Sequence, residues 1–131
     1  MKILLVDDHI LFREGLASLI DTQSELRVVG FANSVQDAIF QTNSLQPDLV
    51  LMDFHLPDGN GFDYTRQIQD QHSQIKVVFL TTSTDDRLLL ETIDDSAVGH
   101  LRKNTPVDDL LSYINDLKLG ETTFSRSNID N

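Results

Sequence analysis

Cysteine is absent from the 131-residue sequence, so the chain has neither a disulfide nor a thiolate metal site. Long apolar runs are also absent, because no stretch approaches the roughly 20 residues that a transmembrane helix needs. Charged residues interrupt the apolar segment at the start of the chain after four positions, which is not typical of a signal peptide. We therefore expect a cytoplasmic location and no membrane partner.

Basic residues are scarce: 10 Lys and Arg stand against 21 Asp and Glu, which gives a formal net charge of −11. Such a surface repels a phosphate backbone, so direct nucleic-acid binding by this chain is not expected. A metal cation or a basic protein partner is compatible with it. With hydrophobic residues at 40%, the length suits one globular domain with its own core.

Five short apolar segments predict β-strands, at 2–6, 26–31, 48–53, 75–81 and 98–103. Most of them are rich in Val, Ile and Leu without polar alternation, which is typical of strands buried on both faces of a parallel sheet. The last segment is the least apolar and is expected to form an edge strand.

Segments with helical spacing lie between these runs. The clearest apolar stripe is formed by Val107, Leu110, Leu111, Ile114 and Leu117. N-caps are predicted at Ser34, Asn60, Thr84 and Thr105, and Gly120 is predicted to end the last helix. The strand–helix alternation predicts an α/β fold, a doubly wound five-stranded parallel sheet of flavodoxin-like topology with strand order 2-1-3-4-5.

Polar residues stand at the carboxyl ends of four predicted strands: Asp7 and Asp8 after the first, Asp53 after the third, Thr81 after the fourth and Lys103 after the fifth. The carboxyl ends of parallel strands share one edge, where open α/β sheets bind ligands. Clustered carboxylates repel unless a cation lies among them, and Mg²⁺ prefers such oxygen ligands. With a hydroxyl and an ammonium nearby, these groups suit a phosphoryl group, and Asp53 is the candidate nucleophile.

Four segments in this order resemble the receiver domain of two-component response regulators: LLVDDH, PDLVLMDFHLPDGNGFD, VVFLTTS and GHLRKN. The opening VDDHILFREGLASLI is most similar to the NarL/FixJ subfamily, which is LuxR-like. The resemblance covers about residues 1–120. It implies that Asp53 accepts a phosphoryl group from a sensor histidine kinase, with Mg²⁺ as the cofactor.

The resemblance also assigns roles to the other residues at this edge. The implied Mg²⁺ ligands are Asp7 (usually through water), Asp8, Asp53 and the backbone carbonyl of His55. Thr81 is expected to be the switch hydroxyl, and Lys103 is expected to pair with the phosphate.

Three positions depart from the family pattern. His100 stands where the family usually has the Tyr or Phe that moves when Thr81 engages the phosphate, so His100 is the second candidate switch residue. Thr82 replaces a common Ala or Gly and is expected to narrow access to the site. Asn104 replaces a common Pro, so we predict a trans bond before it.

The sequence thus predicts a phosphorylation-dependent signalling domain whose fourth helix, fifth strand and fifth helix form the switching surface. A homodimer on phosphorylation is a plausible partner state, and no enzyme activity is expected beyond self-phosphorylation and autodephosphorylation. Residues 1–120 are expected to be the receiver, and 121–131 a linker to a helix-turn-helix DNA-binding domain that this chain lacks. The regulator would then be a transcription factor.

Alternatives remain open. A stand-alone receiver or phosphorelay protein would have the same motifs. A Mg²⁺-dependent aspartyl phosphatase would require a D-x-D pattern where this chain has adjacent Asp7 and Asp8. A flavin carrier would require a phosphate-binding loop at the same place, without these two acids. His9, His55 and His72 show no spacing typical of a zinc site and are predicted to be surface or loop residues.

Overall fold

The computed structural model describes residues 1–90 and 98–119. Its strands are β1 (Lys2–Val6), β2 (Arg27–Ala32), β3 (Leu49–Asp53), β4 (His55–Leu56), β5 (Gly59–Asn60), β6 (Lys76–Thr81) and β7 (Val98–Arg102). Its helices are α1 (Ile10–Ile20), α2 (Val35–Leu45), α3 (Gly61–Ile68), α4 (Thr84–Leu90) and α5 (Val107–Leu119).

The five longer strands form one parallel sheet in the order β2-β1-β3-β6-β7. Because β6 and β7 are the fourth and fifth of these strands along the chain, the predicted order 2-1-3-4-5 is confirmed. Val6 pairs with Met52, so the segments that follow β1 and β3 leave the sheet side by side. A small antiparallel hairpin of β4 and β5 follows β3, where the sequence predicted only a turn.

Helices cover both faces of the sheet, and each face has its own hydrophobic core. Residues that alternate along β1 divide between them: Ile3 and Leu5 pack with α1 and α5, while Leu4 and Val6 pack with α2 and α3. All five residues of β3 are buried. The apolar, non-alternating strands therefore have the two covered faces that their composition predicts.

Two of the four predicted N-caps are confirmed, and the other two are wrong by one residue. Ser34 accepts a hydrogen bond from the N–H of Asp37, and Asn60 forms a capping box with Asp63. At α4 the Ser83 hydroxyl, one residue before the predicted Thr84, accepts from the N–H of Asp86 at 3.3 Å.

At α5 the predicted N-cap Thr105 lies one residue too early: the residue before the helix is Pro106, whose carbonyl accepts from the N–H of Leu110 at 3.0 Å. The Thr105 hydroxyl donates to the carbonyl oxygen of Arg102 at 2.6 Å, in the turn before α5 begins at Val107. The predicted terminator Gly120 lies outside the described residues.

Two leucines of α4 face solvent. Leu88 and Leu89 are 58% and 49% exposed, whereas Leu90 is buried. Within residues 1–90 and 98–119, none of the helices combines the length and the apolar character that crossing a membrane would require.

Asp58, in the turn between β4 and β5, holds the N-terminus of α2. Its carboxylate accepts hydrogen bonds from the N–H groups of Val35 at 2.7 Å and Gln36 at 3.0 Å. Desolvation raises the pKa of Asp58, but these backbone hydrogen bonds outweigh it, so the pKa lies below its ordinary value of 3.8. The turn after β3 is thereby tied to a neighbouring helix.

We expect Asp58→Ala to lower the free energy of unfolding by about 1 kcal/mol, because two N–H groups at the start of α2 lose their acceptor. Since the folded-state pKa is lowered, this contribution is fully present above pH 3.8 and is lost as the pH falls through the folded-state pKa. Urea unfolding at pH 7 and at successively lower pH measures both effects. A difference between wild type and variant that stays constant down to pH 2 would contradict the assignment; Asp58→Asn, which keeps one acceptor oxygen, should lie between them.

Candidate functional site

Three carboxylates meet at the carboxyl edge of the sheet. The N–H of Asp7 donates to the carbonyl of Ala32 at 3.0 Å, which fixes Asp7 just beyond β1. Asp53 is the last residue of β3, and its strand partner is Leu80 on β6. Asp7 and Asp53 are buried, at 3% and 8% exposure, whereas Asp8 is exposed.

Lys103 brings the positive charge to these acids. Its N–H donates to the carbonyl of Thr81 at 2.7 Å, which extends the β6–β7 pairing by one residue. Its ammonium lies 2.8 Å from Asp7 Oδ2 and 3.4 Å from Asp53 Oδ2, and 4.6 Å above the centre of the Phe12 ring. The lysine side chain is 10% exposed, so these ion pairs are largely shielded from solvent.

Burial dominates the electrostatics of Asp53. Desolvation raises the pKa of this carboxyl above its ordinary value, and the negative charge of Asp7 raises it further. The Lys103 ammonium and the N–H of His55, which donates to the carboxylate, act in the opposite direction. A bound cation would therefore favour the ionised form that a nucleophilic carboxylate requires.

His9 has the surface position predicted for it, but it also belongs to this site, which was not predicted. It is the residue before α1, and its ring Nδ1 lies 2.9 Å from Asp7 Oδ1 and 2.9 Å from Lys103 Nζ. The ring is 65% exposed and forms one wall of the site. The available signal was its position next to Asp8 at the end of a strand, not its spacing from other histidines.

Thr81 and His100 lie on one face of the sheet. Thr81 pairs with Arg102, and His100 pairs with Phe79, so the two-residue period of a strand places both on the Phe79 side. Both are 2% exposed. The Thr81 hydroxyl has no hydrogen-bond partner within the described part of the chain. Thr82 is exposed and lines a surface cavity of about 260 Å³ together with Thr81 and Arg102.

The His55 side chain points away from the carboxylates. Its Nε2 lies 2.6 Å from Asp86 Oδ2 at the start of α4, and the ring is 67% exposed. The predicted surface position of His55 is therefore observed, and its backbone N–H faces Asp53. His72 lies in the loop after α3, as predicted, but it is buried there: it is 8% exposed and its Nε2 lies 2.7 Å from Asn43 Oδ1 on α2.

The donor set at this edge fits a divalent cation. One ligand atom from each of Asp7, Asp8, His9 and Asp53 lies within 4.8 Å of all the others. Hard divalent ions prefer carboxylate oxygens, and two of these carboxylates are buried with an ammonium already drawn among them. The three carboxylates therefore fit a divalent cation such as Mg²⁺.

Known proteins share this fold. The family model of the response regulator receiver domain matches residues 3–115. The chain belongs to the response regulator receiver domain family. Receivers act in two-component phosphorylation signalling, as signalling proteins rather than classical enzymes. The family predicted from the four sequence motifs is confirmed.

Individual relatives support this membership. The receiver is 36% identical over 124 residues to the response regulator protein VraR of Staphylococcus aureus, which covers 95% of this chain and 59% of the relative. A LuxR-family two-component response regulator from Aurantimonas sp. SI85-9A1 has a TM-score of 0.84 at 27% identity, covering 98% of this chain and 90% of that one. The predicted LuxR-like subfamily is thus also supported.

The fold is shared more widely. The non-phosphorylated receiver domain of the stress response regulator RcsB from Escherichia coli has a TM-score of 0.82 at 20% identity, covering 93% of this chain and 95% of that one. The chain spans about 59% of the length of the curated relatives it matches.

The structure has no cis peptide bond among the described residues, so the predicted trans bond before Asn104 is observed in this receiver.

Proposed function

We propose that this receiver is a phosphorylation switch that takes a phosphoryl group on Asp53 from a sensor histidine kinase, with Mg²⁺ as cofactor. One observation carries the proposal: the buried Asp53 carboxylate ends a central strand with the Lys103 ammonium 3.4 Å away and two further acids beside it. A nucleophile, a counter-charge and a metal donor set thus occupy one pocket.

The transfer follows from these groups. An Asp53 oxygen attacks the phosphorus of a kinase phosphohistidine, the phosphorus–nitrogen bond breaks, and the leaving imidazole takes a proton. Lys103, already beside Asp53, would pair with one phosphoryl oxygen, and the Thr81 hydroxyl would donate to another. Mg²⁺, held by Asp7, Asp8, Asp53 and the backbone carbonyl of His55, would supply further neutralisation of the phosphoryl charge.

The switch would pass through Thr81 and His100. When Thr81 turns towards the phosphoryl group, its former space becomes available to the His100 ring on the same face of the sheet. Such a movement shifts a two-state equilibrium at the surface of α4, β7 and α5, where Leu88 and Leu89 are exposed. Dimerisation of the phosphorylated receiver on this surface would be the output.

We further propose that residues 1–120 form the receiver of a cytoplasmic transcriptional regulator and that 121–131 belong to a linker. The coverage of 59% of VraR supports a longer regulator, since the relative has further chain outside the matched part. DNA would then be contacted by a helix-turn-helix domain and not by the acidic receiver.

The experiment is phosphorylation by acetyl phosphate, a small donor that needs no kinase. We expect intact-mass spectrometry to show one phosphoryl group per chain with Mg²⁺ and none when EDTA removes the metal. Labelling that is equally complete in EDTA would contradict a metal-assisted transfer.

A further inference from the structure

His9 adds a nitrogen to a site that otherwise offers oxygen ligands. Its Nδ1 lies 2.9 Å from Asp7 Oδ1, and 3.5 Å and 3.7 Å from the nearest oxygens of Asp8 and Asp53. It faces all three carboxylates of the proposed Mg²⁺ site at once. None of the roles proposed above uses this nitrogen.

The same nitrogen contacts both charges of the site. His9 Nδ1 lies 2.9 Å from Asp7 Oδ1 and 2.9 Å from Lys103 Nζ. The imidazole therefore stands at the point where the carboxylates meet a positive charge.

The position of Lys103 shows where a cation is stabilised. Its ammonium lies within 3.4 Å of Asp7 Oδ2, His9 Nδ1 and Asp53 Oδ2. One positive centre therefore already attracts the same nitrogen and two of the same carboxylates. A metal ion that coordinates Nδ1 through its lone pair, together with carboxylate oxygens, would take the place of this ammonium and free Lys103 for a phosphoryl oxygen.

We propose that His9 Nδ1 is a direct ligand of the divalent cation and makes the site selective for ions that accept imidazole, such as Zn²⁺, over Mg²⁺. The proposal rests on the proposed function in one respect, the presence of a divalent cation at this edge. Imidazole suits zinc and its neighbours, whereas Mg²⁺ is bound through oxygen. The ring can reach an incoming ion because it is 65% exposed.

The backbone also favours this role. The N–H of His9 donates to Asp7 Oδ1 at 2.8 Å, so the residue is fixed beside the acid it would share a metal with. Its side chain makes no capping hydrogen bond to α1. Replacing it should therefore leave the helix and the fold intact.

The test is calorimetric titration of the purified chain with Zn²⁺ and, separately, with Mg²⁺. We expect His9→Ala to weaken Zn²⁺ binding at least about tenfold and to change Mg²⁺ binding less than about twofold. His72→Gln removes a histidine on the other side of the molecule, keeps a hydrogen-bonding group for Asn43, and should bind both ions as wild type does. Saturating Zn²⁺ should abolish Mg²⁺ binding by the wild type, which shows that the two ions share one site.

Two results would overturn the inference: Zn²⁺ affinity equal in wild type and His9→Ala, or Mg²⁺ binding that saturating Zn²⁺ does not suppress. Acetyl phosphate labelling of the same proteins separates this from the proposed function. If Asp53 is labelled and His9→Ala binds Zn²⁺ normally, only the ligand role of His9 fails. If Zn²⁺ binding depends on His9 but Asp53 is never labelled, the metal ligand is established and the phosphoacceptor role fails.

Discussion

Asp53→Asn is expected to abolish phosphoryl transfer to this receiver. The amide oxygen is a far poorer nucleophile than a carboxylate, and the other two acids of the site are directed elsewhere: Asp7 to Lys103 and His9, and Asp8 to solvent. With acetyl phosphate and Mg²⁺, intact-mass spectrometry should show less than about one chain in a hundred labelled, a loss of at least about 100-fold in rate.

The fold should survive this change. Because burial raises the pKa of Asp53, its contribution to stability is fully present below pH 3.8 and is lost as the pH rises through the folded-state pKa. The neutral variant should therefore unfold at neutral pH at a urea concentration no lower than wild type, and lost labelling cannot be attributed to unfolding.

Asp70→Asn is the matched control, since Asp70 is an exposed acid after α3 and outside the site. It should take one phosphoryl group as wild type does. Full labelling of Asp53→Asn would show that another residue is the phosphoacceptor, and peptide mapping would identify that residue.

Gly61→Ala is expected to lower the free energy of unfolding by about 3 kcal/mol. Gly61 opens α3 directly over the ring of Phe79, which is fully buried. A Cβ at this position would overlap the ring, with Phe79 Cδ1 and Cζ both at 2.7 Å. The ring cannot retreat easily because Phe54 and Phe62 pack against it edge-on.

Gly15→Ala is the control with the opposite sign. It lies inside α1, where an added Cβ meets no atom within 4 Å, so it should stabilise the protein by about 1 kcal/mol through helix propensity. Urea unfolding of both variants gives the comparison. In a Phe79→Leu background, which makes room beside α3, the cost of Gly61→Ala should fall by more than half; an unchanged cost would show that the overlap with Phe79 is not its cause.

The strands were predictable because their signal is local. Apolar runs without alternation define buried parallel strands, and the observed β1 has the predicted bounds, while the other four shift by one residue at one or both ends. The acids at the strand ends were predictable for the same reason: once the sheet is parallel, the ends share an edge. Strand order made neighbours of Asp7 and Asp53 without any further information.

The missed features depend on side-chain geometry across the fold. His9 belongs to the site because its ring points towards Asp7. His72 is buried where its ring meets Asn43 on α2. The Asp58 cap joins residues more than twenty positions apart, so no local cap motif reveals it. Val107 was assigned to the apolar stripe of α5 but is 39% exposed, since the first turn of that helix projects beyond the core.

The edge position of β7 has a consequence for synthesis on the ribosome. Among the strands of residues 1–90 and 98–119, β7 pairs with β6 alone, yet four of its five residues are buried, and Lys103 follows it directly. A nascent chain that has emerged only as far as β6 therefore presents an open, apolar strand edge and an acidic pair without its ammonium. Docking of β7 covers the strand edge and brings Lys103 to the acids in one step. A chain that ends just before β7 should therefore aggregate rather than form a smaller functional domain.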